Sequence, residues 1–366
     1  MAEGLLEVVP GARGVAIAPA ASDDLDGIRV RKGSHPVPDD DTFSATRALL
    51  SGIAREPLDA TILVLLSGGA SSLLAAPPPG LRRADKVELG RWLLRSGLAI
   101  RAMNTVRKHA SAVKGGGLLA RAFPREVVSL VLSDVPGDDL ETIASGPTVA
   151  DPTTYAEALA AARGAKGGGP IPAAALRHLE LGAAGKRPET LKPCDRRLGR
   201  SEARVIGSNG TALAAATETA RALGYAVRRG PSLEGEAADC ARALAGALPP
   251  SPKRPTCVLS GGETTVTVSR GRGRGGRCQE LALAAAGALP AGWALLAAGT
   301  DGIDGRTGAA GAFADAAVRR LGRAGIAAAL RDHDSHPILA ANGHLLVTGS
   351  TGTNAMDLVV AVHPGR

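Results

Sequence analysis

Two short stretches share a pattern suited to holding an anion. Residues 66–72 read LSGGASS and residues 259–265 read LSGGETT, each after an apolar run that reads as a strand. Paired glycines at a strand end let backbone N–H groups approach an anion, and neighbouring hydroxyls add donors. Ser67, Gly68 and Gly69 in the first copy, and Ser260, Gly261, Gly262, Glu263 and Thr264 in the second, are therefore candidate phosphate contacts. One such turn would be read as a glycine that the turn itself needs. Two, one in each half of the chain, point to a shared anionic ligand. A cationic group lies between them. Asn104-Thr105-Val106-Arg107-Lys108-His109 falls in a helical stretch ahead of Lys114-Gly115-Gly116-Gly117. Arg107 and Lys114 are two turns apart and share a face if the helix runs on. Cations on one face could hold a carboxylate or phosphates; a solvated basic face has the same pattern.

Carboxylates form the complementary set. Asp134, Asp138 and Asp139 follow the apolar run VVSLVLSD, and Asp301 and Asp304 lie in GTDGIDG after another. Mg²⁺ is held at such strand ends together with substrate phosphates, although Asp and Gly also build turns unaided. The turn 348–354, TGSTGTN, is dense in small polar groups and open to both readings. There is no GxxxxGK[ST] phosphate loop. Gly271-Arg272-Gly273-Arg274-Gly275-Gly276 satisfies GxGxxG. The strand pattern before it alternates, however, and no acidic residue follows about 20 positions on. With Arg272, Arg274 and Arg277 crowding the turn, a phosphate-facing loop of guanidinium groups is the better expectation.

These residues need a frame. TILVLL (61–66), VVSLVLSD (127–134) and ARVIGS (203–208) are strand-like, and helical runs such as TALAAATETARALG follow them. Strand, turn, helix, strand means α/β with a mainly parallel sheet. A chain of 366 residues suggests about two domains. Prolines without periodicity near residue 250 mark a linker at 247–256, separating 1–246 from a C-terminal α/β domain at 257–366. The glycine-rich 164–172 is a loop inside the first.

Composition excludes several classes. Apolar residues are 45% and charged residues 21%, so the chain is globular. Aromatics are 2%, too few to stack nucleic-acid bases. The net charge of +8 is scattered through Ala-rich helices, so no nucleic-acid partner is expected. No apolar run is long enough to span a membrane, and the N-terminal residues lead us to expect no secretory leader. Four cysteines without a CxxC pair, and seven scattered histidines, suggest reduced cytoplasmic thiols and no zinc site.

The blocks SGGASSLLAAP, NTVRKHASAVKGGGLL, SLVLSDVPGDDLETIASGPTVADPTT, LSGGETTVTV, GRGGRCQELAL, GTDGIDGRTGAAGAF and TGSTGTNAMDL together resemble the glycerate 2-kinases. Members of this family are often labelled hydroxypyruvate reductase. The resemblance runs from about residue 25 to the end. It implies an N-terminal Rossmann-like parallel sheet with helices on both faces, a smaller C-terminal α/β domain and a cleft between them. It implies ATP- and Mg²⁺-dependent phosphorylation of D-glycerate to 2-phosphoglycerate by a cytoplasmic enzyme, a homodimer being one option. Arg277 matches the family's catalytic arginine. Asp134 and Asp301 are candidates for metal or base roles, Lys114, Gly115 and Gly116 for phosphate, and Asn104, Arg107 and Lys108 for the substrate carboxylate. Two departures stand out. The family's first strand and Gly-Lys-Ala-Ala motif would lie ahead of Met1, and no lysine precedes Lys32, so the expected alternatives are a misassigned start or a truncated member with weak or absent kinase activity. The usual GGRNQE reads GGRCQE, with Cys278 in place of Asn. An NAD(P)H-dependent hydroxypyruvate reductase is the competing reading.

Overall fold

The computed structural model describes residues 1–19, 22–268 and 273–365, in two compact units. The first comprises Met1–Val131 with Asp138–Ile206, and the second Leu132–Gly137 with Gly207–Arg366. In the first unit, β1 (Gly14–Ala18) and β2 (Ile28–Lys32) form a parallel pair. Strands β3 (Thr61–Leu66), β4 (Glu126–Leu132) and β5 (Ser201–Gly207) form a second sheet in that order, with β3 parallel to β4. The apolar runs read in the sequence are these strands, because β-branched and aliphatic residues pack on a pleated surface.

The long helical stretch after β3 is broken. Helix Arg83–Arg95 ends at Ser96, Gly97 follows with a left-handed φ of 67°, and a new helix runs from Ile100 to His109. The break lets both helices pack on Tyr155–Arg163 and Ala173–Ala183, burying Leu89, Trp92, Leu93, Val106, Tyr155 and Leu179. Helix Ile100–His109 stops before Lys114, so Arg107 and Lys114 share no continuous helical face.

The second unit carries a mixed sheet rather than a parallel one. Its strands are β6 (Ala226–Arg229), β7 (Leu233–Glu236), β8 (Thr256–Thr265), β9 (Ala294–Gly299), β10 (Gly311–Ala314), β11 (Leu345–Leu346) and β12 (Asp357–His363). The order is β11-β10-β9-β12-β8-β6, with β7 also on β8. Strands β6 and β7 run parallel to β8, while β12 is antiparallel to both β8 and β9.

Two expectations are corrected here. The division does not fall at 247–256. Residues 207–246 belong with the C-terminal strands because β6 pairs with β8 and helix Ala237–Ala247 buries Cys240, Ala241 and Leu244 in the core of that unit. The prolines at 249–250 read as a linker, yet the Pro249 carbonyl accepts from Trp293 Nε1 at 2.9 Å. LSGGETT, moreover, is no turn. It lies inside β8, fully laddered, and Gly261 pairs with Leu358. Its glycines answer to packing. A methyl on Gly261 would lie 2.0 Å from Asn209 Oδ1, and one on Gly262 (φ 139°) would lie 2.3 Å from the Leu233 carbonyl oxygen.

Asn209 cannot step aside freely, because its side-chain amide donates to the carbonyls of Ala355 and Asp357 at 2.9 and 3.0 Å. Gly261→Ala is therefore expected to lower unfolding free energy by about 1–3 kcal/mol, the usual cost of overpacking. Urea denaturation without any ligand measures it. An unchanged midpoint would return Gly261 to a ligand-facing role.

Candidate active site

At Lys86 and Lys114 the first unit buries positive charge that no acid among the described residues pairs. The helix Arg83–Arg95 turns Lys86 onto its apolar stripe with Leu89 and Leu93, and Lys86 is 7% exposed. Its ammonium donates to the Ala110 carbonyl at 2.7 Å. Lys114, 2% exposed, donates to the Ala144 carbonyl at 3.3 Å. Among the described residues neither has a carboxylate partner. Burial, with the charge of Arg107 added, pulls the Lys86 ammonium down to about 7. Burial and the charges of Lys86 and Arg107 pull Lys114 well below the usual lysine range, and burial lowers Arg107. The three cations are thus near neighbours even though no single helix carries them.

Hydroxyl and amide groups line the same region. Arg107 Nη1 donates to Asn104 Oδ1 at 3.3 Å, and the buried Ser145 hydroxyl donates to the same oxygen at 3.1 Å. Ser145 Oγ is 3.5 Å from Ser71 Oγ, which ties in the turn after β3. Ser67, Gly68 and Gly69 occupy that turn, with Gly69 at φ 81°. Ala144 and Ser145 hold left-handed φ values of 54° and 61°, a conformation costing about 1–3 kcal/mol per non-glycine residue and concentrated at functional sites. Gly115 and Gly116 brace this turn. Their N–H groups donate to the carbonyls of Ser145 and Gly146 at 3.0 and 2.7 Å, so they are already used by protein. Lys108 is likewise engaged, by Asp151 at 3.2 Å and Glu141 at 3.7 Å. Of the expected residues, Asn104, Arg107 and Lys114 come together with the turn after β3, and Lys108 faces its own acids.

The second unit centres on Arg277, the first residue of helix Arg277–Ala286. Nε and Nη2 donate to the two Asp357 oxygens at 2.7 and 2.8 Å, a bidentate pair, and Nη1 meets Glu263 Oε1 at 2.8 Å. Burial opposes the guanidinium charge, but Asp357 and then Glu263 outweigh it and raise its pKa. Register explains the meeting. Asp357 opens β12 opposite Gly262 of β8 and Gly299 of β9, and Glu263 is the next residue of β8. Burial raises the Glu263 pKa, and the charges of Asp357 and Asp134 raise it further against the pull of Arg277. Asp301 flanks the same place, since a methyl on Gly299 would lie 2.9 Å from Asp301 Oδ1 and 3.6 Å from Asp357 Oδ1. Asp304 does something else. It caps the helix, accepting from the Cys278 and Gln279 N–H groups at 3.0 and 2.8 Å. Asp139 closes a local turn with Glu141 and Thr142. Ser260 and Thr264 are buried in β8, their hydroxyls without a partner among the described residues. The Cys278 thiol is buried beside Asp357, and burial keeps it protonated.

The GxGxxG segment is only partly described, as Gly271 and Arg272 lie outside the described residues. Its remaining glycines are closed by protein. Methyls on Gly273, Gly275 and Gly276 would collide with Asp332 and His333, Ser335, and Asp304, respectively. Sequence pattern alone does not mark Lys86 or Asp357 as site residues. A lysine at i relative to Leu89 (i+3) and Leu93 (i+7) was the legible signal for the first.

Residues 1–180 match a family described as a domain of unknown function (DUF4147), and residues 256–357 match the MOFRL family. The chain is 38% identical over 350 residues to the D-glycerate 2-kinase of Thermotoga maritima, covering 92% of this chain and 81% of that one. It is 42% identical over 345 residues to an Agrobacterium vitis protein provisionally named hydroxypyruvate reductase, covering 90% and 76%. Among solved structures it resembles a glycerate kinase from Thermotoga maritima, with a TM-score of 0.86 and 36% identity, covering 99% of this chain and 88% of that one.

The buried lysine gives a pH signature. Unfolded, Lys86 titrates near 10.5, and folded near 7, so between those values the unfolded chain binds the extra proton. Stability should therefore rise with pH across that window, and Lys86→Met should flatten the rise. Denaturation of both proteins at pH 7 and pH 9.5 measures the difference. Equal slopes would mean that Lys86 is not desolvated.

Proposed function

The chain belongs to the glycerate 2-kinase family, and from that premise we propose that it transfers the γ-phosphoryl group of ATP to the 2-hydroxyl of D-glycerate. Phosphoryl transfer calls for positioning and charge stabilisation more than covalent chemistry. The arrangement of Arg277 supports this reading most directly. Asp357 fixes the plane of the guanidinium through two bonds, while Nη1 is held by Glu263, a half-exposed carboxylate whose charge burial disfavours. A phosphoryl oxygen can take the place of Glu263 at Nη1 without disturbing the bidentate hold. The donor then already points at the charge that develops.

ATP brings Mg²⁺, and the acids around Arg277 fit a divalent cation. Glu263 and Asp357 both hold Arg277, Asp134 lies near enough to raise the Glu263 pKa, and Asp301 lies beside Asp357. Among the described residues no group of three or more metal-ligating side chains is preassembled. Mg²⁺ needs none, since it is commonly held by one or two carboxylates plus substrate phosphates. Asp134 and Asp301 would hold it, and it would neutralise phosphate charge. In the first unit, Asn104 and Arg107 would hold the glycerate carboxylate, and Ser67, Gly68 and Gly69 would contact phosphate. Lys108 keeps Asp151 in place rather than substrate. The unpaired cysteines accord with a cytoplasmic setting, and among the described residues no helix is long and apolar enough to cross a membrane.

The competing reductase reading needs a dinucleotide loop, and the described glycines of 273–276 are packed against protein instead. A coupled assay separates the two. ADP release with MgATP and D-glycerate is expected, and oxidation of NAD(P)H by hydroxypyruvate is not. Arg277→Lys keeps the charge but loses the planar fork. It should lower kcat by about 10²–10³ while changing the KM for ATP much less. A raised KM with unchanged kcat would make Arg277 a uniform binder.

A further inference from the structure

We propose that Lys86, Arg107 and Lys114, with the Asn104 amide and the Ser145 turn, form an oxyanion-binding site in which the two buried lysines hold the ligand's carboxylate or phosphate group. Proteins rarely bury ammonium groups without acids to pair them. Lys108 shows the ordinary solution in this same unit, with Asp151 and Glu141 around it. Lys86 and Lys114 are as buried as Lys108, yet each has a single backbone carbonyl. An ammonium carries three donors, so two on each lysine have no bond to a described residue. Asn104 accepts twice through Oδ1, and its amide protons likewise bond no described residue. The surrounding backbone is fixed by the left-handed Ala144 and Ser145 and by the Gly115 and Gly116 bonds beneath them. These are neighbouring donors on a fixed backbone, with no described acid to pair them, and the chemistry that completes them is a small oxyanion.

A consequence follows for protons. A ligand charge placed among these groups favours the protonated lysines, so the site takes up protons as it fills near neutral pH. The proposal rests on geometry and uses the kinase reading only to choose its probes. It also deepens that reading, because the oxyanion is either the acceptor's carboxylate or a phosphate of the nucleotide.

Isothermal titration of the full chain with inorganic phosphate, D-glycerate and ADP tests it, each in two buffers of different ionisation enthalpy. Phosphate is expected to bind with a buffer-dependent heat that, corrected for phosphate's own ionisation, shows net proton uptake by the protein, and its dianion to bind at least tenfold more weakly at pH 9 than at pH 6.5. Lys86→Met and Lys114→Met should each weaken it at least tenfold while keeping the native circular dichroism spectrum. Competition with phosphate by D-glycerate alone assigns the site to the acceptor, and by ADP alone to the nucleotide; either supports the proposal. Absence of phosphate binding, or binding to wild type that neither takes up protons nor falls with pH, overturns it even if a variant fails to fold. Because turnover is not read, loss of kinase activity and loss of this site are told apart.

Discussion

The first unit depends on one constraint, the burial of two ammonium groups that no acid among the described residues neutralises. Taking a charge out of water is expensive, and the cost falls when the group loses its proton or finds an opposite charge. Lys86 and Lys114 meet the cost partly by lowered proton affinity and partly through single carbonyl bonds. Much of the local structure exists to keep them there. The break at Gly97 sets the two helices that carry Lys86 and Arg107, and Gly115 and Gly116 lock the Ser145 turn against Lys114. Such sites trade stability for binding, the usual relation at functional centres.

The second unit solves the opposite problem, holding one guanidinium among several acids. Each layer of support can be traced. Asp357 orients Arg277, and Asn209 bonds the backbone carbonyl of Asp357. Asp304 caps the helix that Arg277 opens, through the N–H groups of the next two residues. The Cys278 substitution fits this scheme, because a buried, protonated thiol beside Asp357 adds no charge to the centre. Arginine geometry is thereby set by groups that need not touch a substrate.

The sequence disclosed the strands well and the partners poorly. TILVLL is β3 and WALLAAG contains β9, since long apolar runs have few other outcomes. LSGGETT reads as a turn because glycine at a strand end and glycine inside a strand look alike. What distinguishes them is Asn209, which crowds Gly261 from a helix far away in the chain. Residues 207–246 join the C-terminal strands for a reason composition cannot show, the pairing of β6 with β8. Arg107 and Lys114 were grouped on the assumption of a continuous helix. They lie close all the same, across the non-helical link 110–113. Lys108 and Lys86 were indistinguishable by residue type alone, and only their tertiary neighbours separate a paired lysine from an unpaired one.

The central claim is that Lys86 is a desolvated, acid-free cation awaiting an anion. The chain has eight lysines, few enough for side-chain carbon NMR with ¹³C-lysine and assignment of the Lys86 signal by its loss in Lys86→Met. The account predicts that this signal titrates near 7 and moves upward when phosphate saturates the protein. Titration near the ordinary 10.5, unmoved by phosphate, would contradict it.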